Sequence, residues 1–192
     1  MASLNLISQQ DAQPQLPVAW YVDPSIYALE QQYMFTQAPH YLGHELMVPE
    51  VGNYRSLEWL DHSKLLFRTD AGVHQMSNVC RHRQAIMLQG SGTTEHVVCP
   101  VHRWTYDREG DLIGAPHFAQ KPCLGLKRDQ LERWNGLLFK GPRSANADLG
   151  GMKVAGELDF SGYKLDKVEI HECNYNWKTF IEVYLEDYHV VP

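Results

Sequence analysis

The chain has 192 residues, with 17 Lys and Arg against 23 Asp and Glu for a net charge of −6, and it is 44% hydrophobic and 21% charged. That is an ordinary globular composition, long enough for one domain and a substantial piece of a second. The acidic balance argues against a nucleic-acid or anionic-membrane partner. No apolar run approaches the roughly 20 residues that cross a bilayer, and "MASLNLISQQDAQPQ" lacks the basic-then-apolar order of a secretory signal, so a cytoplasmic location is expected.

Residues 1–17 are polar and Gln-rich and read as a loosely held arm. Asp23-Pro24 reads as an N-cap with proline at the first helical position. Ile26, Leu29, Tyr33 and Met34 then place an apolar stripe on a helix running to about residue 37. From residue 41 to about 155 the texture changes to short β-type segments broken by turns. "KLLFRT" and "VHQMSN" flank Asp70-Ala71-Gly72 as a hairpin, "QGSG" and "REGD" mark further turns, and "GLLFKG" is a late strand. The expected organisation is an arm and helix over 1–40, a small antiparallel β domain over 41–155, and a third segment over 156–192.

That last segment begins with the strand-like "KVEIHE" and continues as "NYNWKTFIEVYLEDYHVVP". Trp177, Phe180, Ile181, Tyr184, Leu185 and Tyr188 recur at helical spacing, which predicts an amphipathic helix. Glu182, Glu186 and His189 project from adjacent turns of another face. Taken alone, that face reads first as a solvated acidic stripe that ends in a histidine.

Four cysteines are present, Cys80, Cys99, Cys123 and Cys173. A disulfide framework is not expected in a reducing compartment, so cysteines that matter are expected to be ligands or nucleophiles. Cys123 and Cys173 have no histidine at ligand spacing and are expected to be core residues. Cys80 and His82, by contrast, form C-x-H, and Cys99 and His102 form C-x-x-H. Three chemistries compete for these four residues. Structural zinc accepts two thiolates and two imidazoles, although its knuckles do not usually pair one Cys with one His twice. A catalytic Cys–His pair uses one of each and leaves two unexplained. A [2Fe–2S] cluster of the Rieske kind needs one Cys and one His from each of two loops, because histidines replace cysteines on one of its irons.

The motifs "CRH" and "CPVHRWTYD…GDLIGAP" resemble the Rieske domain of ring-hydroxylating oxygenase α subunits, and the resemblance runs from about Tyr21 to the end of the chain. It implies a mainly β fold, with a Rieske-type antiparallel domain preceded by a helix and followed by the truncated start of an α+β, helix-grip-like catalytic domain. It also implies that Cys80 and Cys99 hold the inner iron and that His82 and His102 hold the outer one. Two positions depart from the family pattern, which commonly has glycine where Gln84 and Arg103 stand. Respiratory Rieske proteins carry a disulfide clamp where Ala85 and Val101 stand, and a serine donor to a cluster sulfur where Trp104 stands. The midpoint is therefore expected toward the lower end of the roughly −150 to +300 mV Rieske range.

"NWKTFIEVYLEDYH" is similar to the opening helix of that family's catalytic domain. The similarity makes His189 the first ligand of a mononuclear non-haem Fe(II). It makes Glu186 the acidic bridge by which electrons reach that iron from His102 of a neighbouring subunit in a homotrimer. It further implies a reductase and possibly a ferredoxin as partners, and O2 and a small organic substrate as reactants, for mono- or dioxygenation. The second histidine ligand is expected beyond Pro192, so these residues alone are expected to be inactive. The alternative is a stand-alone, ferredoxin-like Rieske electron carrier.

Overall fold

The computed structural model describes residues 16–186. The chain divides into two compact units, one made of the stretches up to Thr36 and from His171, the other of Gln37–Ile170.

The larger unit is built from short antiparallel strands in three sheets. The expected hairpin forms its centre: Lys64–Thr69 pairs with Gly72–Ser77 from Lys64↔Ser77 to Thr69↔Gly72. A two-residue Asp70-Ala71 connection closes it, with Gly72 at φ +119. Asn53–Ser56 and then Ser91–Thr93 extend this sheet on one side, and Arg128–Gln130 on the other. A second sheet runs His40–His44, Leu137–Lys140, Glu132–Trp134, and a third runs Val97–Val98, Thr105–Tyr106, Leu112–Gly114. The late strand predicted at "GLLFKG" is present as Leu137–Lys140.

Phe67, Met76, Val97, Trp104 and Tyr106 are almost fully buried in one core that also takes in Cys80 and Cys99. Val48, Leu57, Leu66 and Leu138 make a second. Each such side chain contributes roughly 1.5–3 kcal/mol of hydrophobic free energy. The short helix Ala145–Leu149 packs beside Trp134 and Phe139. Its N-terminus is held by Ser144 and by Glu132, whose carboxylate accepts from the amides of Ala145 and Asn146 at 2.6 and 3.0 Å.

In the smaller unit Asp23 caps the helix Pro24–Glu30 by accepting from the Ser25 amide at 2.8 Å. Instead of continuing as α-helix to residue 37, the chain widens into a π turn, Gln31–Phe35, where the Thr36 amide reaches back five residues to the Gln31 carbonyl. The expected stripe is largely exposed at Leu29, Tyr33 and Met34; the buried side chain is Glu30. Its carboxylate takes Lys178 Nζ at 2.5 Å and Trp177 Nε1 at 3.0 Å. The second helix, Trp177–Tyr184, is capped by Asn176, and Trp177 meets Phe35 edge-on at 5.4 Å. Because it docks through Trp177 and Lys178, with Glu182 bonded to the Tyr21 hydroxyl, its apolar residues Phe180, Ile181, Tyr184 and Leu185 stay exposed. Tyr188 lies outside the described residues. "KVEIHE" forms no strand; no neighbouring strand pairs with it among the described residues.

Candidate cluster-binding site

The two Cys–His loops share one backbone frame despite their different spacing. In the first, the Cys80 amide donates to the Ala85 carbonyl at 2.9 Å, and the Gln84 amide to the Cys80 carbonyl at 3.0 Å. In the second, the Cys99 amide donates to the Trp104 carbonyl at 2.8 Å, and the Arg103 amide to the Cys99 carbonyl at 3.1 Å. The residue four after each cysteine is left-handed, Gln84 at φ 56 and Arg103 at φ 59. These are the two positions where the sequence departs from glycine. The non-glycine side chains have not changed the loop geometry; they adopt it at some cost. A Val79↔Ile86 bridge closes the base of the first loop, and the pairing of Val97–Val98 with Thr105–Tyr106 closes the second.

Within this frame the four residues segregate by chemistry. Both thiols are buried, Cys80 at 1% exposure and Cys99 at 2%. The imidazoles lie toward solvent, His82 partly buried and His102 exposed, with ring centroids 4.7 Å apart. His82 stacks on buried Trp104, and exposed Phe118 meets that indole edge-on at 5.3 Å. His82 Nδ1 is buried and has no hydrogen-bond partner. Burial, with His102 and Arg83 adding to it, holds His82 below the ordinary histidine value, so the ring is neutral at neutral pH. A neutral imidazole with an unpartnered buried nitrogen is in the state that metal ligation requires. The donor set and this orphaned nitrogen fit a cluster with two thiolate and two imidazole ligands.

Two supporting residues were not singled out from the sequence. Tyr106 places its hydroxyl 3.6 Å from Cys80 Sγ and accepts the Arg81 amide at 3.1 Å. Burial, then the bond to Cys80, raises its pKa above the ordinary phenol value, so it remains a donor. Fully buried Asn78 donates to the carbonyls of His62 and Leu88 at 2.7 and 2.6 Å and accepts from the Leu88 amide at 2.9 Å. The available signals were an asparagine two residues before Cys80 and a tyrosine inside the strand leaving the second loop.

Cys123 and Cys173, expected in the core, are both exposed, since they fall in irregular segments at the surface. Glu186 belongs to the smaller unit, exposed just past the helix end, with its amide donating to the Val183 carbonyl at 3.4 Å. His189 lies outside the described residues. No helix among the described residues is long and apolar enough to cross a membrane.

Residues 39–130 match the Rieske [2Fe-2S] domain family. Over 190 residues the chain is 56% identical to putrescine 2-hydroxylase of Ralstonia nicotianae, covering 99% of this chain and 51% of that protein. It is 48% identical to putrescine 2-hydroxylase of Bordetella bronchiseptica, covering 94% of this chain and 46% of that protein. The fold matches the quaternary ammonium Rieske monooxygenase CntA with a TM-score of 0.70 at 22% identity, over 91% of this chain and 52% of that one. The chain thus spans about half the length of the curated relatives it matches. Residues 39–130 thus form a Rieske [2Fe-2S] domain, and over nearly its whole length the chain is similar to about half of each of these hydroxylases.

Proposed function

We propose that this chain is the electron-delivering part of an oxygenase that hydroxylates a small aliphatic amine. The observation that carries the reading is the segregated site: two buried thiols beneath two solvent-side imidazoles on matched loops. Cys80 and Cys99 would hold one iron, and His82 and His102 the other. When bound, such a cluster supplies one-electron redox chemistry. The protein's own part is to fix the ligands. Asn78 ties the first loop to the sheet, Trp104 sets the plane of His82, Tyr106 donates toward Cys80 Sγ, and the surrounding core keeps water from both thiols.

Glu186 and His189 belong, on this reading, to a second centre: His189 as a ligand of a mononuclear Fe(II), and Glu186 as the carboxylate between it and His102 of a neighbouring subunit. O2, a reductase, a possible ferredoxin and a trimeric assembly in the cytoplasm complete the proposal. A diamine resembling putrescine is the favoured substrate, supported by identity to two putrescine 2-hydroxylases over nearly the whole chain.

Anaerobic reconstitution with iron and sulfide tests the cluster. A red-brown protein, whose reduced form gives the paramagnetic resonance of a mixed nitrogen–sulfur-ligated cluster, is expected, with colour lost in Cys80→Ser and Cys99→Ser. A colourless protein that takes up one zinc ion instead would overturn the reading. The substrate is tested with the complete oxygenase and a reductase, by following O2 uptake with putrescine and the mass of the product. Uptake without a hydroxylated diamine would exclude this substrate class.

A further inference from the structure

The smaller unit holds a buried ion pair that the proposed electron path does not use. Glu30 is 8% exposed and Lys178 6%, and among the described residues no other ion pair has both side chains so buried. One carboxylate serves two consecutive donors: Glu30 Oε1 takes Lys178 Nζ at 2.5 Å, and Oε2 takes Trp177 Nε1 at 3.0 Å. These bonds, the one to Lys178 first, hold the Glu30 carboxyl below its ordinary value, so it is ionised at neutral pH. Lys178 Nζ also lies over the Tyr21 ring, 5.7 Å from its centroid, and Asn176 Nδ2 donates to the Tyr21 carbonyl at 2.9 Å. One turn on, Glu182 accepts from the Tyr21 hydroxyl. Residues 176–182 are thus tied to Tyr21 and Glu30 by polar bonds, while Phe180, Ile181 and Tyr184 of the same helix stay exposed.

Burying two charges costs desolvation that their attraction returns only in part, so such a pair adds little stability over an apolar replacement. What it supplies is a single geometry, because a carboxylate with a separate partner on each oxygen fits one register and apolar surfaces slide more freely. The helix so fixed ends at Tyr184, and Glu186 follows two residues later with its amide on the Val183 carbonyl. We infer that Glu30 is a positioning residue: acting through Lys178 and Trp177, it sets the register and rotation of the helix Trp177–Tyr184 and thereby the place of Glu186. The inference rests on the proposed role of Glu186 as the carboxylate between the two metal centres. A relay of that kind works only at a fixed distance from both ends, and a misplacement on the order of 1 Å costs roughly 100-fold in rate. The Glu30 side chain itself bonds only to Lys178 and Trp177, so its contribution is geometric.

The test separates register from stability. Glu30→Gln leaves Lys178 buried without its counter-charge and destabilises the smaller unit, so the decisive variant is Glu30→Met/Lys178→Met, which fills the same space without charge and is expected to keep the denaturant midpoint. In the chain alone, amide hydrogen exchange over residues 179–186 should be about tenfold faster in this double variant, with the hairpin at 64–77 unchanged. In the complete oxygenase, reduced and then mixed with O2 and putrescine, cluster oxidation is followed by its colour. O2 takes two electrons, one from the cluster and one from the mononuclear Fe(II), and two protons, leaving one oxygen in the product and one in water. Cluster oxidation is expected to slow by at least about tenfold in the double variant at an unchanged midpoint potential, and by less in Glu30→Asp, which keeps the charge. Exchange and oxidation both unchanged in the double variant overturn the inference, as does slow oxidation that only tracks a lowered denaturant midpoint. Glu186→Gln tells the two readings apart. If it leaves cluster oxidation as fast as before, the proposed bridge fails and takes the role of Glu30 with it. If it slows oxidation and the double variant does not, the bridge stands and only the role of Glu30 falls.

Discussion

The imidazole of His82 lies flat on the indole of Trp104, ring centroids 4.9 Å apart and planes 7° from parallel. Trp104 is 1% exposed and carries, through its backbone carbonyl, the hydrogen bond that closes the second loop on Cys99. One residue therefore joins the core, the second loop and the histidine of the first. Trp104→Phe keeps an aromatic surface but shortens it, whereas Trp104→Ala removes it and costs about 3–5 kcal/mol in a core of this kind. Chemical denaturation should show that loss for Trp104→Ala. Cluster release to a chelator should accelerate in both variants, more in Trp104→Ala. Unchanged release in Trp104→Ala would mean the stack does not orient His82.

Gln84 and Arg103 occupy the equivalent left-handed position of the two loops. A non-glycine residue costs roughly 1–2 kcal/mol there, while glycine adds about 0.4–1 kcal/mol of unfolded-chain entropy to overcome. Gln84→Gly and Arg103→Gly should each therefore stabilise the apo protein by about 0.5 kcal/mol, read as a higher denaturant midpoint with unchanged slope. Destabilisation by either would mean that its side chain contributes contacts that outweigh the strain.

This strain shows what the sequence does and does not carry. Cys80, His82, Cys99 and His102 stand out in the sequence because thiolate and imidazole at ligand spacing have few other uses; the structure buries the two thiols in one core and sets the two imidazoles 4.7 Å apart. The central hairpin was legible because six-residue β runs flank a tight turn at Gly72. The matched frame was not legible: C-x-H and C-x-x-H look different, and the equivalence lies in backbone bonds from Cys to the residue five later. Periodicity misled at Leu29, Tyr33 and Met34, where the interhelical contact is made instead by Glu30 with Lys178 and Trp177. Cys123 and Cys173 were misplaced for a related reason: residue type sets a preference for burial, but only an element packed against a core realises it.

Tyr106 places its hydroxyl 3.6 Å from Cys80 Sγ, so if Cys80 is a thiolate ligand, as proposed, Tyr106 is its donor. A hydrogen bond to a thiolate lowers electron density at the metal and favours the reduced form. If its net worth to the reduced over the oxidised form is about 1 kcal/mol, Tyr106→Phe lowers the midpoint by roughly 40 mV, using 59 mV per tenfold change for one electron. A potentiometric titration of the two proteins reads this directly. An unchanged midpoint would leave Tyr106 as packing and as acceptor for the Arg81 amide only.

Glu132 gives a pH dependence separable from the cluster. Its carboxylate gathers the Ser144 hydroxyl at 2.5 Å, the Ala145 and Asn146 amides, and Asn146 Nδ2 at 2.8 Å, and these donors, led by Ser144, hold its pKa down to about 2 from an ordinary 4.5. A carboxylate depressed by folding contributes stability that is fully present above its unfolded value and is lost as pH falls through its folded one. The contribution should therefore be complete above about pH 4.5 and fade toward pH 2. Glu132→Gln keeps an acceptor oxygen but not the charge. It should be less stable than the unaltered protein at pH 6, with the gap narrowing at pH 3 in urea titrations of the apo chain. A gap of the same size at both pH values would show that the loss in Glu132→Gln is one of geometry and that the charge on Glu132 does not hold the start of the Ala145–Leu149 helix.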